Sequence, residues 1–327
     1  MFNRSFLAVL LLVTSNLLVA QQSKEDPPPV PGQMVDIGGY RLHLYCIGKG
    51  SPTVIFENGA GDIFTDWSLV QPDVGQFTRT CSYDHAYEGF SDAGPVPATM
   101  HQEVFKIAPP YIFVGHSSGG MLARLYTITY PKEVAGLVLV DSLHEDTPMG
   151  DKMFRERATG KPIPTPQTMK TSPPLPPTPE EQAHFEQRKK QLEAEAAAPV
   201  GPPLNRLPRE MLRLRAWAHA HPKFLTPKGD PMIWVPDELQ QLHDWRQGKL
   251  HPFGGIPIIV IGTFRDNPVS QEERQRQLED MASLSNNSKV VINPNSGHHV
   301  QWDDPNFVIQ AIREDYDAVK QDLALKK

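Results

Sequence analysis

Short apolar runs rich in β-branched residues recur along this chain, and between several of them the apolar spacing changes from the period of a strand to that of a helix. Residues 34–37 and 40–46 alternate apolar and polar side chains and flank Gly38-Gly39, a two-residue turn that favours positive φ, so they predict a β-hairpin. Thr53-Val54-Ile55-Phe56 runs into Asn58-Gly59-Ala60-Gly61, and residues 78–83 run into Asp84. Four further runs, at 111–114, 137–140, 256–261 and 289–292, are bounded by Gly or Pro and read as strands buried on both faces. Met121, Leu122, Leu125 and Tyr126 mark a helix after the run at 111, and Phe307, Val308, Ile312 and Val319 mark another near the C-terminus. Alternating strands and helices of this kind predict an α/β fold, a mostly parallel sheet with helices on both faces.

The pattern breaks between residues 146 and 254, where proline is dense and no buried strand is visible. Thr178 as N-cap, Pro179 in the first turn and a stop at Pro199 and Gly201 predict a charged helix to about residue 198, and a second helix is expected over 208–220. The region is read as a helical cap insertion, with a disordered Pro-rich linker as the alternative. The core then comprises residues 34–145 and 255–327. Ahead of it, Arg4, the apolar stretch 6–13 and Leu17-Leu18-Val19-Ala20 before Gln21-Gln22 have the form of a signal peptide over residues 1–20, followed by a Pro-rich leader, 21–33. A retained anchor is the alternative, but Thr14, Ser15 and Asn16 interrupt a run already short for a span. The expectation is a secreted or periplasmic protein with no stable membrane insertion after cleavage.

The formal net charge is −6 with both signs interspersed and no basic tract, which argues against nucleic acid as a partner. Two cysteines, Cys46 and Cys81, leave open a disulfide or a pair of buried thiols. No His, Cys and Asp cluster has metal-ligand spacing, so no metal or other cofactor is expected.

The chemistry concentrates at Gly115-His116-Ser117-Ser118-Gly119-Gly120, a G-x-S-x-G motif between an apolar strand and a helix. A sharp strand-to-helix turn lifts the serine Oγ into the open, and glycines let the two elements pass closely. Ser117 is the candidate nucleophile, because a motif centred on Ser118 would need Gly where His116 stands. A serine hydroxyl needs a base. Asn295-Ser296-Gly297-His298-His299 lies beyond the last strand and offers His298, with His299 second. The acid that orients the base is expected at Asp266, after the run 256–261; Asp141 is its main rival and Glu145 a weaker one. The backbone N–H groups of Ala60 and Ser118 are the candidate oxyanion donors.

These residues resemble the α/β-hydrolase family over nearly all of the chain after the leader. Residues 83–92 look like the loop after the family's fourth strand, 115–120 its elbow, Leu137-Val138-Leu139-Val140-Asp141 its sixth strand, and Ser296-Gly297-His298 with Asp304-Pro305 its histidine loop. The resemblance implies an eight-stranded, mostly parallel sheet whose second strand is antiparallel and neighbours the fourth, an arrangement that favours a Cys46–Cys81 bridge. It also implies a Ser117–Asp266–His298 triad that cleaves a small-molecule ester or related acyl compound through an acyl-enzyme. Ser117 at the elbow argues against epoxide and haloalkane chemistry, which needs a carboxylate there. The chain departs from the pattern in three places: Asn58-Gly59 stands where His-Gly is common, His85, Tyr87 and Glu88 replace the usual residues of their loop, and the helix before the elbow is confined to 99–108. That short helix motivates the alternative reading, a catalytically idle binding protein on the same fold.

Overall fold

The structure is a computed structural model and describes residues 28–94, 107–147, 200–221, 235–265 and 269–325, with isolated positions between 179 and 190. The expected signal peptide, residues 99–106 of the helix expected at 99–108, most of the first cap helix and Asp266 lie outside the described residues. Residues 1–31 and 32–327 form separate units. Only 28–31 of the first are described, and the sheet belongs wholly to the second.

Eight strands form that sheet: β1 (Gln33–Asp36), β2 (Arg41–Ile47), β3 (Thr53–Glu57), β4 (Thr80–Tyr83), β5 (Tyr111–His116), β6 (Val134–Val140), β7 (Ile258–Gly262) and β8 (Ser288–Ile292). Their order is β1-β2-β4-β3-β5-β6-β7-β8. The hairpin β1–β2 and the β2–β4 pair are antiparallel; every other pair is parallel. Gly38 and Gly39, at φ of 120° and 104°, make the hairpin turn, capped by the Asp36 carboxylate, which accepts from both their N–H groups. β2 and β4 place Cys46 directly opposite Cys81, and the two are joined as a disulfide.

The period of two along the central strands sorts their side chains into two cores. Phe113, Leu137, Leu139, Ile258 and Val260 face one side with Tyr126 and Leu278. Ile112, Val114, Val138, Val140, Ile259 and Ile261 face the other with Trp67, Val308 and Ile312. The first side is covered by the helices Ser118–Thr129 and Gln271–Ala282, the second by Pro305–Gln321. In chain order the helices are α1 (Gln71–Val74), α2 (Ser118–Thr129), α3 (Arg209–Ala220), α4 (Val235–Arg246), α5 (Gln271–Ala282), α6 (Val300–Asp303) and α7 (Pro305–Gln321), with short 3-10 turns at Phe64–Trp67 and Leu204–Arg206.

Between β6 and β7 the described elements are helical. α3 falls on the expected span. α4 was not expected; Val235, Leu239 and Leu242 pack on Met121 and Leu125 of α2, so it covers the helix behind the elbow. α3 rests on the Phe64–Trp67 turn: Arg215 donates to Asp66 at 2.8 Å, and Trp217 stacks on Phe90. Among the described residues no helix is long and apolar enough to cross a membrane.

Candidate active site

Ser117 sits between β5 and α2 at φ 53° and ψ −122°, a conformation that L-residues avoid and that the tight packing around it enforces. A Cβ on Gly115 would stand 2.6 Å from the Gly119 carbonyl oxygen and the Gly120 backbone, and one on Gly119 would collide with the Glu57 carbonyl. The glycines of the motif are thus required by the approach of α2 to β5 and β3. The Ser117 N–H donates to the Val140 carbonyl, and its own carbonyl accepts from Leu143 and Gly120. These bonds tie the elbow to the end of β6.

One residue beyond β6 stands Asp141, itself at positive φ (40°). Its Oδ2 lies 2.7 Å from His298 Nδ1, the shape of an orienting acid and its base. This corrects the expectation of Asp266: the Nδ1 of His298 is taken by Asp141. The physical reason is register. His116 pairs with Val140, so the residue after β6 emerges beside Ser117. The end of β7 supports it instead, with Thr263 N–H donating to Asp141 Oδ1 at 3.1 Å. Arg274 of α5 adds a second donor to that oxygen at 2.7 Å. Burial works to raise the Asp141 carboxyl, but the His298 hydrogen bond and the Arg274 charge outweigh it and hold the group below the ordinary carboxylate range. Glu145, the weaker rival, pairs with Arg124 instead.

His298 lies beside the elbow, its ring centroid 4.7 Å from that of His116, and its side chain keeps 39% exposure, enough to meet a ligand. Its neighbour His299 stacks on Trp302 at 3.8 Å. Gly59 abuts Ser117: a Cβ there would be 3.1 Å from Ser117 Cβ, so the Asn58–Gly61 stretch that carries Ala60 passes over the serine. Ser118 opens α2, where N–H groups have no intrahelical acceptor. Asn58 fixes the stretch from below, donating to the Tyr83 carbonyl and accepting from Trp67 Nε1 at 2.9 Å.

Two residues near the serine, Asp62 and His116, were not singled out from the sequence, and His299 was named there only as the second candidate base. Asp62 follows the glycine stretch and is buried. His116 Nδ1–H donates to Asp62 Oδ2 at 2.8 Å, and His299 Nε2 lies 3.5 Å from Asp62 Oδ1. Burial pushes the His116 ring down to about 4, so near neutral pH it carries one proton, donated from Nδ1 to the carboxylate; its Nε2, 3.0 Å from the His298 carbonyl oxygen, bonds there only when a second proton is present. Asp62 itself is held well below the usual carboxylate range: burial opposes its ionisation, but the two imidazoles outweigh it. The ligand atoms of Asp62, His116 and His299 all lie within 4.8 Å of one another, as do those of His144, Glu145 and Asp280. Neither group has a spacing along the chain that announces it; hydrogen bonds and ion pairs join Asp62 to both histidines and His144 to Asp280, and Glu145 pairs with Arg124.

The unusual residues after β4 form a buried network under the same stretch. His85 Nε2 lies 2.5 Å from Glu57 Oε1, Tyr83 OH donates to Glu57 Oε2, and His85 Nδ1 faces Glu88 at 3.2 Å. Burial raises the Glu88 carboxyl.

A family model described as the alpha/beta hydrolase fold matches residues 52–305. The chain belongs to that family. Membership of that family supports a hydrolase. An esterase from Thermogutta terrifontis is similar in structure, with a TM-score of 0.60 and 18% identity over 88% of this chain and 99% of that one. A putative epoxide hydrolase from Pseudomonas aeruginosa gives 0.65 at 13% identity, covering 91% and 100%. Likeness at these identities speaks to the fold. An uncharacterized vacuolar membrane protein of Saccharomyces cerevisiae is 27% identical over 33% of this chain, a match that spans only 21% of the yeast protein. The uncharacterized protein YqjL of Bacillus subtilis is 22% identical over 85% of this chain and 88% of its own length.

Proposed function

We propose that the protein is a serine hydrolase that cleaves a small-molecule ester or related acyl compound through an acyl-enzyme. The observation that carries this reading is the dyad His298–Asp141 beside a serine held at positive φ on a strand-to-helix turn. A proton on Nδ1, donated to Asp141, leaves the Nε2 lone pair free, so the ring is set up as a base. His298 then takes the Ser117 proton as Oγ attacks the acyl carbon. The tetrahedral oxyanion is held by the N–H groups of Ala60 and Ser118, and losing one such donor typically costs about 10²–10³ in rate. The imidazolium, stabilised by ionised Asp141, protonates the departing alcohol, and water enters by the same route to release the acid. A serine rather than a carboxylate at the elbow favours this chemistry over epoxide opening. The form of residues 1–20 adds export to the proposal, to the periplasm or the medium.

A fluorophosphonate probe and a series of chromogenic esters of graded acyl length test the reading. The wild-type chain is expected to label and to hydrolyse at least one ester, and Ser117→Ala to do neither while keeping its fold by circular dichroism. A folded wild-type chain that never labels would make it an idle binding protein instead.

A further inference from the structure

The serine reading gives no role to Asp62, a buried charged group near Ser117. Asp62 lies at the end of the tight turn Gly59–Asp62, where its N–H donates to the Gly59 carbonyl at 3.0 Å. Its side chain is 6% exposed and reaches out of that turn to two other loops. One oxygen accepts from His116 of the elbow, the residue before the nucleophile. The other faces His299, the residue after the base. One carboxylate therefore joins the oxyanion stretch, the elbow and the histidine loop.

We propose that Asp62 is a positioning residue of the hydrolase: through His116 and His299 it fixes the mutual placement of the oxyanion donor Ala60, of Ser117 and of His298. The proposal rests on the serine-hydrolase reading. Three observations support it. Gly59 has no side chain where one would stand 2.8 Å from both Asp62 Oδ2 and His116 Nδ1, so the bond is built into the glycine stretch. His299 is held in place by the stack against Trp302, whose Nε1–H donates to the Asp66 carbonyl at 3.0 Å, four residues beyond Asp62. The third is electrostatic. A bare carboxylate this close to a forming oxyanion would oppose it, and the two imidazole donors direct that charge inward. Each arm acts on a different member of the site, so loss of the carboxylate displaces all three loops by a fraction of an ångström without unfolding the sheet.

The test uses the full chain, with active sites counted by fluorophosphonate titration so that misfolded protein does not enter kcat. Asp62→Asn keeps the shape but presents an amide that cannot accept from both rings. It is expected to lower kcat per titrated site by about 10–10²-fold, the scale set by sub-ångström misplacement, with KM changed less than about threefold. His299→Gln retains an N–H donor and is expected to keep most of the rate, whereas His299→Leu falls toward Asp62→Asn. In the double variant Asp62→Asn/His299→Leu the losses should not add, because one arm is already gone. Wild-type kcat per site in Asp62→Asn, or equal rates in the glutamine and leucine variants, would overturn the proposal while leaving the serine reading intact. Hydrolysis that survives Ser117→Ala would overturn both.

Discussion

Asp141 and Asp266 each follow a central strand, and the sequence offers no local feature that separates them. Hydrophobic pattern locates the ends of β6 and β7, but which carboxylate faces His298 depends on how the strands are registered, a long-range property. In the folded chain Asp141 emerges beside Ser117, receives Thr263 N–H and Arg274, and meets His298 at 2.7 Å. Asp141→Asn is expected to remove about 10³–10⁴ of kcat, because an amide can accept the wrong tautomer and does not stabilise the imidazolium. Asp266→Asn should stay within a few-fold of wild type. Steady-state kinetics on one chromogenic ester decides between them, and the reverse ranking would restore Asp266. The tight turn at Ser117 and its glycines were legible because a strand, a turn and a helix must meet there in a fixed local order. Asp62 and His116 were not, because 54 positions separate them and only the sheet brings them together.

At the scale of elements, the strand pattern gave away most of the sheet, since β3, β5 and β7 are buried along their whole length and carry runs that water would not tolerate. α4 escaped notice in proline-dense surroundings, although Val235, Leu239 and Leu242 already carry the spacing of one helix face. The pairing of β2 with β4 came only through resemblance; alternation identifies β2 as a strand but does not say which edge it joins. Its consequence is the Cys46–Cys81 bridge, which closes a loop of 35 residues across two antiparallel neighbours. By chain entropy such a crosslink stabilises by about 3–4 kcal/mol, because the unfolded chain loses freedom it would otherwise regain. Cys46→Ala/Cys81→Ala should lower the free energy of unfolding in urea by that order, shifting the midpoint while leaving kcat at low temperature near wild type. An unchanged midpoint would mean that the surrounding strands alone fix this edge.

At the scale of the whole molecule, the described residues form two cores on opposite faces of the sheet, and α7 lays the apolar side chains of Val308, Ala311, Ile312 and Ala318 into one of them. Asp315 is the exception. It lies on α7 against β6, fully buried, and neither carboxylate oxygen has a hydrogen-bond partner among the described residues. It is pressed so closely on Gly136 that a Cβ there would collide with it. Burial, with a smaller push from Glu314, drives its carboxyl well above the ordinary aspartate value. In the unfolded chain the same group loses its proton near pH ~3.9. Between that value and the higher folded one the native state holds a proton that the unfolded state has lost, so stability contributed by this group falls as pH rises. Asp62 and Asp141, with depressed carboxyls, act in the opposite sense and lose their contribution as pH falls. The wild-type curve mixes both signs, but the difference between wild type and Asp315→Asn isolates one. Asn fills the same space beneath Gly136 and cannot ionise. The variant should therefore melt higher than wild type at about pH 8, with the gap shrinking toward about pH 5, as followed by thermal unfolding at matched ionic strength. A gap of constant size across that range would show that packing or hydrogen bonding, and not a buried titrating carboxyl, sets the cost of this position.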